Sequence, residues 1–244
     1  MKTIMISGGG GKLAREISKV STDRIIRPYK DEMDICNIND VLRCIKVYKP
    51  DFFIHAGAFT KPMSKHQNQS HKSLQTNIMG TCNVVLACMK YNIKLIYIST
   101  DYVYPGTAGN YSEDDPLSPF KAESDGNTKY GWSKLGGECA VRMYDNSLIL
   151  RLCMCDYPFP HDTALIDVKK SYLYNFQAAA IIMKLLNKTG VINVGGKAQS
   201  VYDFASQKNP EIKKCSRSNI KDVSIAPNTT MNIDKLRGIL REDR

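Results

Sequence analysis

Two short stretches hold the side chains best suited to chemistry: Ser99-Thr100-Asp101-Tyr102 and Tyr130-Gly131-Trp132-Ser133-Lys134. Tyr130 and Lys134 stand four apart, so on a helix they share a face. A phenol has an ordinary pKa near ~10 and is a poor proton donor at neutral pH. An ammonium about 4 Å away, at an effective dielectric of ~20, is worth roughly 4 kcal/mol, or ~3 pK units at most. That predicts a phenol drawn toward the working range of a general acid, with the Thr100 hydroxyl beside it. Such a set fits the reduction of a carbonyl, with Tyr130 supplying the proton. Tyr-x-x-x-Lys also arises by chance in many helices, so its meaning rests on its surroundings.

The elements that would position these groups alternate strand and helix. Thr3 to Ser7 is short and apolar and runs into Gly8-Gly9-Gly10-Gly11-Lys12-Leu13-Ala14, after which Ala14, Ile17 and Val20 recur at helical spacing. Strand, glycine turn and helix is the order of a phosphate-binding βα unit. Gly8, Gly11 and Ala14 form Gly-x-x-Gly-x-x-Ala, in which glycine admits a pyrophosphate and the helix N-terminus supplies N–H donors. A plain flexible turn is the alternative. A second strand, Arg24 to Arg27, ends on Arg27 where a dinucleotide fold usually carries an acid. A cation there suits a 2′-phosphate, which favours NADP(H), with NAD(H) the alternative.

Further along, Ile38 to Tyr48 reads as a helix and Phe52-Phe53-Ile54 as a strand leading into Ala56-Gly57-Ala58. Thr60 to Ser70 reads as a polar loop. A long helix is expected from about Leu74 to Tyr91, with Ile78, Val85 and Leu86 toward the core. The strand Ile93 to Ile98 delivers Ser99 and Thr100 at its carboxyl end, where open parallel sheets place ligands. Tyr104 to Asn127 reads as a loop over the site, Tyr130 to Tyr144 as a helix, and Ser147 to Leu152 as a fifth strand. Beyond lie an irregular stretch to Tyr174, an apolar helix from Phe176 to Leu186, a strand Val191 to Val194, and a short helix Val201 to Ser206.

With 244 residues, 43% of them hydrophobic, the chain can build a large core. Net charge is +10, but no lysine or arginine run exceeds two residues, so an anionic small molecule suits the charge better than nucleic acid. Eight cysteines without a Cys-x-x-Cys pair read as free thiols in a reducing compartment, and no signal peptide is recognised, so the expected location is cytoplasmic. Cys153-x-Cys155 lacks a second ligand pair, and His66 and His71 are wrongly spaced for one helix face, so no metal is expected. No apolar run approaches ~20 residues, so no membrane span is expected.

Three stretches resemble an extended short-chain dehydrogenase/reductase, and most closely the dTDP-4-dehydrorhamnose reductase family: Pro50 to Thr60, Tyr97 to Gly106, and Tyr130-Gly131-x-x-Lys134 followed by Leu135-Gly136-Gly137-Glu138. The resemblance runs from residue 2 to about 152 and is patchy beyond, where Asn193 to Gly196 and Asn232 to Leu236 carry it. It implies an α/β architecture: a Rossmann-type doubly wound parallel sheet over 1–152, with a small, shortened C-terminal substrate lobe over 153–244. About 176–196 of that lobe returns to the main sheet. It implies hydride delivery from NADP(H) to C4 of a nucleotide-linked 4-keto-6-deoxyhexose, with dTDP or UDP as the nucleotide. Thr100, Tyr130 and Lys134 would be catalytic. Gly8, Gly11, Lys12, Leu13, Arg27, Asp34, Ile35, Ala56, Gly57 and Ala58, with Tyr130 and Lys134, would hold the cofactor. Thr100, Asp101 and Tyr102 would meet the sugar.

Two departures stand out. After Arg151 the family usually has Thr-Ser-Trp, whereas this chain has Leu152-Cys153-Met154. Bifunctional epimerase-reductases carry a cysteine where this chain has Asp101, which argues for reduction alone, although Cys153 or His161 could replace it. A non-catalytic binding subunit on the same fold is the other reading, and the intact Thr100, Tyr130 and Lys134 argue against it. A nucleotide-diphosphate sugar is the expected partner, with no nucleic acid and no membrane; a homodimer is left open.

Overall fold

The computed structural model describes residues 1–60, 64–121, 126–220 and 225–242. Its centre is a six-stranded parallel sheet. In chain order the elements are β1 (Thr3–Ser7), α1 (Lys12–Val20), β2 (Arg24–Ile26), α2 (Ile38–Tyr48), β3 (Phe52–His55), α3 (Ser64–Asn68), α4 (Ser70–Ser73), α5 (Gly80–Tyr91), β4 (Lys94–Thr100), α6 (Gly126–Val141) and β5 (Ser147–Leu152). Then come β6 (Met154–Cys155), β7 (Thr163–Leu165), β8 (Lys169–Lys170), β9 (Leu173–Tyr174), α7 (Asn175–Leu185), β10 (Gly190–Val194), β11 (Gln199–Ser200), α8 (Val201–Ser206), β12 (Lys213–Cys215) and α9 (Asp234–Glu242).

The main sheet runs β10-β5-β4-β3-β1-β2, all parallel. The central strands β3, β4 and β5 are buried along their whole length, which is why they read as continuous apolar runs rather than as alternations. Helices cover both faces. Leu13, Ala14 and Ile17 of α1 pack with Ala178, Ile182 and Leu185 of α7 on one side. Val41 and Ile45 of α2, Val84 and Val85 of α5, and Val141 of α6 pack on the other. The chain leaves β1 toward β2 on one side and returns to β3 on the other. The crevice at the carboxyl ends of β1 and β3 is therefore the switch point where such sheets bind ligands.

The segment after β5 forms three two-stranded pairings, β11 with β8, β12 with β7 and β6 with β9, while α7 and β10 rejoin the main sheet. A buried ion pair braces this join. Glu138 of α6 meets Arg151 of β5, both side chains fully buried, and Arg151 also donates to the Tyr104 hydroxyl at 2.9 Å.

The predicted loop from Thr60 to Ser70 is helical over α3 and the start of α4 where it is described; residues 61–63, like 122–125 of the second predicted loop, lie outside the described residues. The predicted helix from Leu74 begins as a π-helical turn, Leu74–Met79, before α5. Leu86 does not face the core. It is 55% exposed, because the buried stripe of α5 runs Thr81, Val84, Val85 and Cys88, at i, i+3, i+4 and i+7. The fourth strand extends past Ile98 through Thr100, and α6 starts at 126, ahead of Tyr130.

Candidate active site

The glycine turn after β1 is built for close approach. Gly8 has φ +72°, a region that side chains rarely adopt, and a Cβ on it would lie 2.8 Å from the Gly57 Cα. The turns after β1 and β3 thus press together at the switch crevice. The Gly8 carbonyl accepts from the Gly11 N–H at 2.8 Å, and Gly11 caps α1 without any side-chain bond. The first turn of α1 also carries no acidic residue, so its N–H groups present an uncontested anion cradle. Arg27 closes over this turn, donating to the Gly9 carbonyl at 2.9 Å. Lys12 points from α1 to Asp156 at 2.6 Å, and Leu13 is buried beneath the cradle.

Around the crevice, Ile35 is buried beside Gly57 and Gly80, where a Cβ on either would meet its side chain. Asp34 caps the following turn through the Cys36 N–H and pairs with Lys30 at 3.6 Å. Ala56, Gly57 and Ala58 are half-buried, with the Gly57 N–H held by the Ser7 hydroxyl at 3.1 Å. These residues form a small-residue floor suited to a flat dinucleotide.

Thr100, Tyr130 and Lys134 come together beside that floor. Thr100 is the last residue of β4, so the parallel sheet aims it into the crevice. Its hydroxyl donates to Asp101 Oδ1 at 3.2 Å and accepts from the Tyr102 N–H at 3.3 Å. Tyr130 and Lys134 are both buried on α6. The Lys134 ammonium sits 4.1 Å from the centre of the Tyr97 ring.

The electrostatics reverse one expectation. Burial, then Asp101 and Tyr102, push the Tyr130 phenol well above its ordinary value, against the opposing pull of Thr100 and Lys170. Burial holds Lys134 down to about 7, which Glu138 only partly opposes. Removing both groups from water outweighs their proximity, since each loses solvation of its charged form. Tyr130 therefore keeps its proton at neutral pH, as an acid must.

Several participants are invisible in a linear reading. His55, at the end of β3, bonds Ser7 at 2.7 Å and Thr81 at 3.0 Å and is held neutral, down to about 3, by burial and by Lys134. Asn77, in the π-helical turn, donates to Ser133 at 2.8 Å and to the Phe59 carbonyl at 3.0 Å, tying α6 to the segment after β3. His66 lies in the supposed polar loop, yet it is fully buried, with its ring centre 5.1 Å from that of Tyr130. It bonds the Thr60 carbonyl and the Ser73 hydroxyl. Lys170 of β8 reaches Asp101 from the far lobe at 2.7 Å. Among the described residues no cluster has the makings of a metal site, and no helix is long and apolar enough to cross a membrane.

The parallel sheet in the order β10-β5-β4-β3-β1-β2, with a glycine turn at its switch crevice, places the molecule among the Rossmann-type α/β proteins. Within that class the chain belongs to the family described as the RmlD substrate binding domain, whose model matches residues 1–155. It is 29% identical over 157 residues to a dTDP-4-dehydrorhamnose reductase of Aggregatibacter actinomycetemcomitans, covering 62% of this chain and 51% of that one. It is 28% identical over 150 residues to methionine adenosyltransferase 2 subunit beta of Pongo abelii, covering 57% and 42%. In these alignments the chain spans about half the length of the curated relatives it matches. A solved dTDP-4-dehydrorhamnose reductase of Bacillus anthracis, in complex with NADP, superposes with a TM-score of 0.84 at 22% identity, over 97% of this chain and 91% of that one. The likeness of fold thus continues through the C-terminal lobe, where the sequence match has ended.

Proposed function

We propose that this chain is an NAD(P)H-dependent reductase acting on the C4 keto group of a nucleotide-linked 4-keto-6-deoxyhexose. The observation that carries the reading is the buried Tyr130, its ring centre 6.0 Å from that of Tyr102, beside the strand end that delivers the buried Thr100 and a bare glycine cradle. Family membership supports the same reaction class. Residues 1–152 with 175–194 would hold the dinucleotide, and the remaining lobe would hold the sugar.

The cradle fits a diphosphate: its donors are backbone N–H groups, and Gly8 shapes it, since a Cβ there would strike the Gly57 backbone and push the two turns apart. Gly8, Gly11, Lys12 and Leu13 would hold the pyrophosphate, Asp34 and Ile35 the adenine end, and Ala56, Gly57 and Ala58 the length of the dinucleotide. Arg27 stands where a 2′-phosphate would be met, which favours NADP(H) over NAD(H). When bound, the dihydronicotinamide supplies the hydride. Tyr130 gives its phenolic proton to the carbonyl oxygen as negative charge develops there, and Thr100 turns its hydroxyl to the same oxygen. Lys134, four residues along the same helix, holds the nicotinamide ribose. Tyr102 lies at the sugar, while Asp101, whose carboxylate is engaged on the lobe side, acts on the substrate through Thr100.

Reduction without epimerisation is the form we favour. Cys153 is buried beside Asp101, and burial pushes its thiol well up, so it is no base at neutral pH. His161 is exposed and packs on Phe159. A second reading, a non-catalytic binding subunit, is prompted by the relative named as a subunit of methionine adenosyltransferase. NADPH oxidation with a panel of dTDP- and UDP-linked 4-keto-6-deoxy sugars separates the two. Turnover is expected, and Tyr130→Phe should bind NADPH but turn over at least ~10²-fold more slowly. Full activity in that variant would remove Tyr130 as the acid, and no turnover with any sugar would favour the binding subunit.

A further inference from the structure

Lys170 lies in β8, sixty-nine residues from Asp101 in sequence, yet its ammonium is buried and bonded to Asp101 Oδ2 at 2.7 Å. The same oxygen accepts a short bond from the Thr229 hydroxyl. The ammonium also stands 4.0 Å from the centre of the Tyr102 ring. The other carboxylate oxygen of Asp101 takes the Thr100 hydroxyl. One lobe residue therefore ends a chain running Lys170 to Asp101 to Thr100, and the Tyr102 ring beneath its ammonium stands edge-on to Tyr130, 6.0 Å between ring centres.

A lysine so far from water needs a reason. Burial alone would strip its charge, but Asp101, with Tyr102 and Tyr172, holds the ammonium well above its ordinary range. The lysine is therefore a fixed positive charge. It faces the Asp101 carboxylate, placed one residue from the hydroxyl that must meet the carbonyl oxygen. An uncompensated carboxylate there would oppose the negative charge developing on that oxygen, and it would hold the Thr100 proton against transfer.

We propose that Lys170 is a positioning residue of the reduction, cancelling the charge of Asp101 so that Thr100 and Tyr130 can serve the developing oxyanion. This rests on the reductase reading above. The groups facing Tyr130 are Tyr97 and Thr100 of β4, His66 of α3, and Asp101 and Tyr102 of the turn after β4, with Lys170 as the lobe's cation; Lys134, one turn along the same helix, sets its ammonium over the Tyr97 ring. Cys153 and Tyr172 complete the surroundings of Lys170. Because β8 lies outside the main sheet, the charge is supplied from beyond the elements that carry Thr100 and Tyr130.

The test compares steady-state reduction by NADPH in wild type, Lys170→Met and Asp101→Asn/Lys170→Met. Lys170→Met should lower kcat about tenfold, the equivalent of one pK unit, with the KM for NADPH within about twofold of wild type. Removing both charges should recover most of that loss. A Lys170→Met protein as fast as wild type, or a double variant as slow as the single one, would overturn the proposal. If wild type reduces no sugar in the panel, the reductase reading fails by itself. The carboxyl carbon-13 shift of Asp101, followed across pH in wild type and Lys170→Met, then decides the role of Lys170. A higher Asp101 midpoint in Lys170→Met supports it; equal midpoints refute it. Lys170→Gln, which can still donate to Asp101 without a charge, takes the place of Lys170→Met if that variant does not fold, with the same outcomes.

Discussion

Lys134 should cost the protein stability, and the cost should depend on pH. The folded protein holds its ammonium at about 7, against an ordinary value of 10.5, because burial removes the charge from water. Between those two values the unfolded chain binds the proton and the folded one does not, so stability must rise with pH across that window. At ~1.4 kcal/mol per pK unit the full gap is worth on the order of 5 kcal/mol near pH 6, shrinking to about 1 kcal/mol near pH 10. Against this stands the contact of the ammonium with the Tyr97 ring, worth at most about 2 kcal/mol. Burial wins. Lys134→Met should therefore be more stable than wild type by about 3 kcal/mol near pH 6 and nearly equal to it near pH 10, a large part of a typical ~5–15 kcal/mol total. Urea unfolding of both proteins at the two pH values measures this directly. Equal stabilities at both, or a gap that widens as pH rises, would refute the account of Lys134 as a charge held against its solvation. The same variant should lose turnover, so stability and activity trade at this residue.

Other expectations are quickly put to the test. Glu138→Gln leaves the Arg151 guanidinium buried without its partner and should cost about 3–5 kcal/mol in urea unfolding; a loss under ~1 kcal/mol would mean that Tyr104 and the Glu113 carbonyl suffice to hold it. Arg27→Ala should reduce the NADPH over NADH ratio of kcat/KM about tenfold or more, the worth of one charged hydrogen bond. An unchanged ratio would place the 2′-phosphate elsewhere.

Much of this molecule was legible from local pattern. Strand, glycine turn and helix at residues 3–20 declare themselves because a buried parallel strand must be uniformly apolar and a phosphate turn must lack side chains. Tyr130 and Lys134 share a helix face by arithmetic, and a family resemblance to about residue 152 told what surrounds them. Leu86 misled because apolar character alone does not say which way a helix turns. Its neighbour Val85 lies on the buried stripe and Leu86 one step off it.

What the chain alone determined is the inventory: a phenol, a hydroxyl, an ammonium and a glycine turn, each on an element whose type follows from residue spacing. What only the tertiary structure decided is the state of charge of those groups and the company they keep. Proximity of Lys134 to Tyr130 predicted a lowered phenol, whereas burial raises it, because solvation depends on everything packed around a group and not on its neighbours in sequence. His66 reads as loop, and no local pattern singles out Lys170. Folding carries one against the Tyr130 ring and the other onto Asp101, over a separation that no local pattern records.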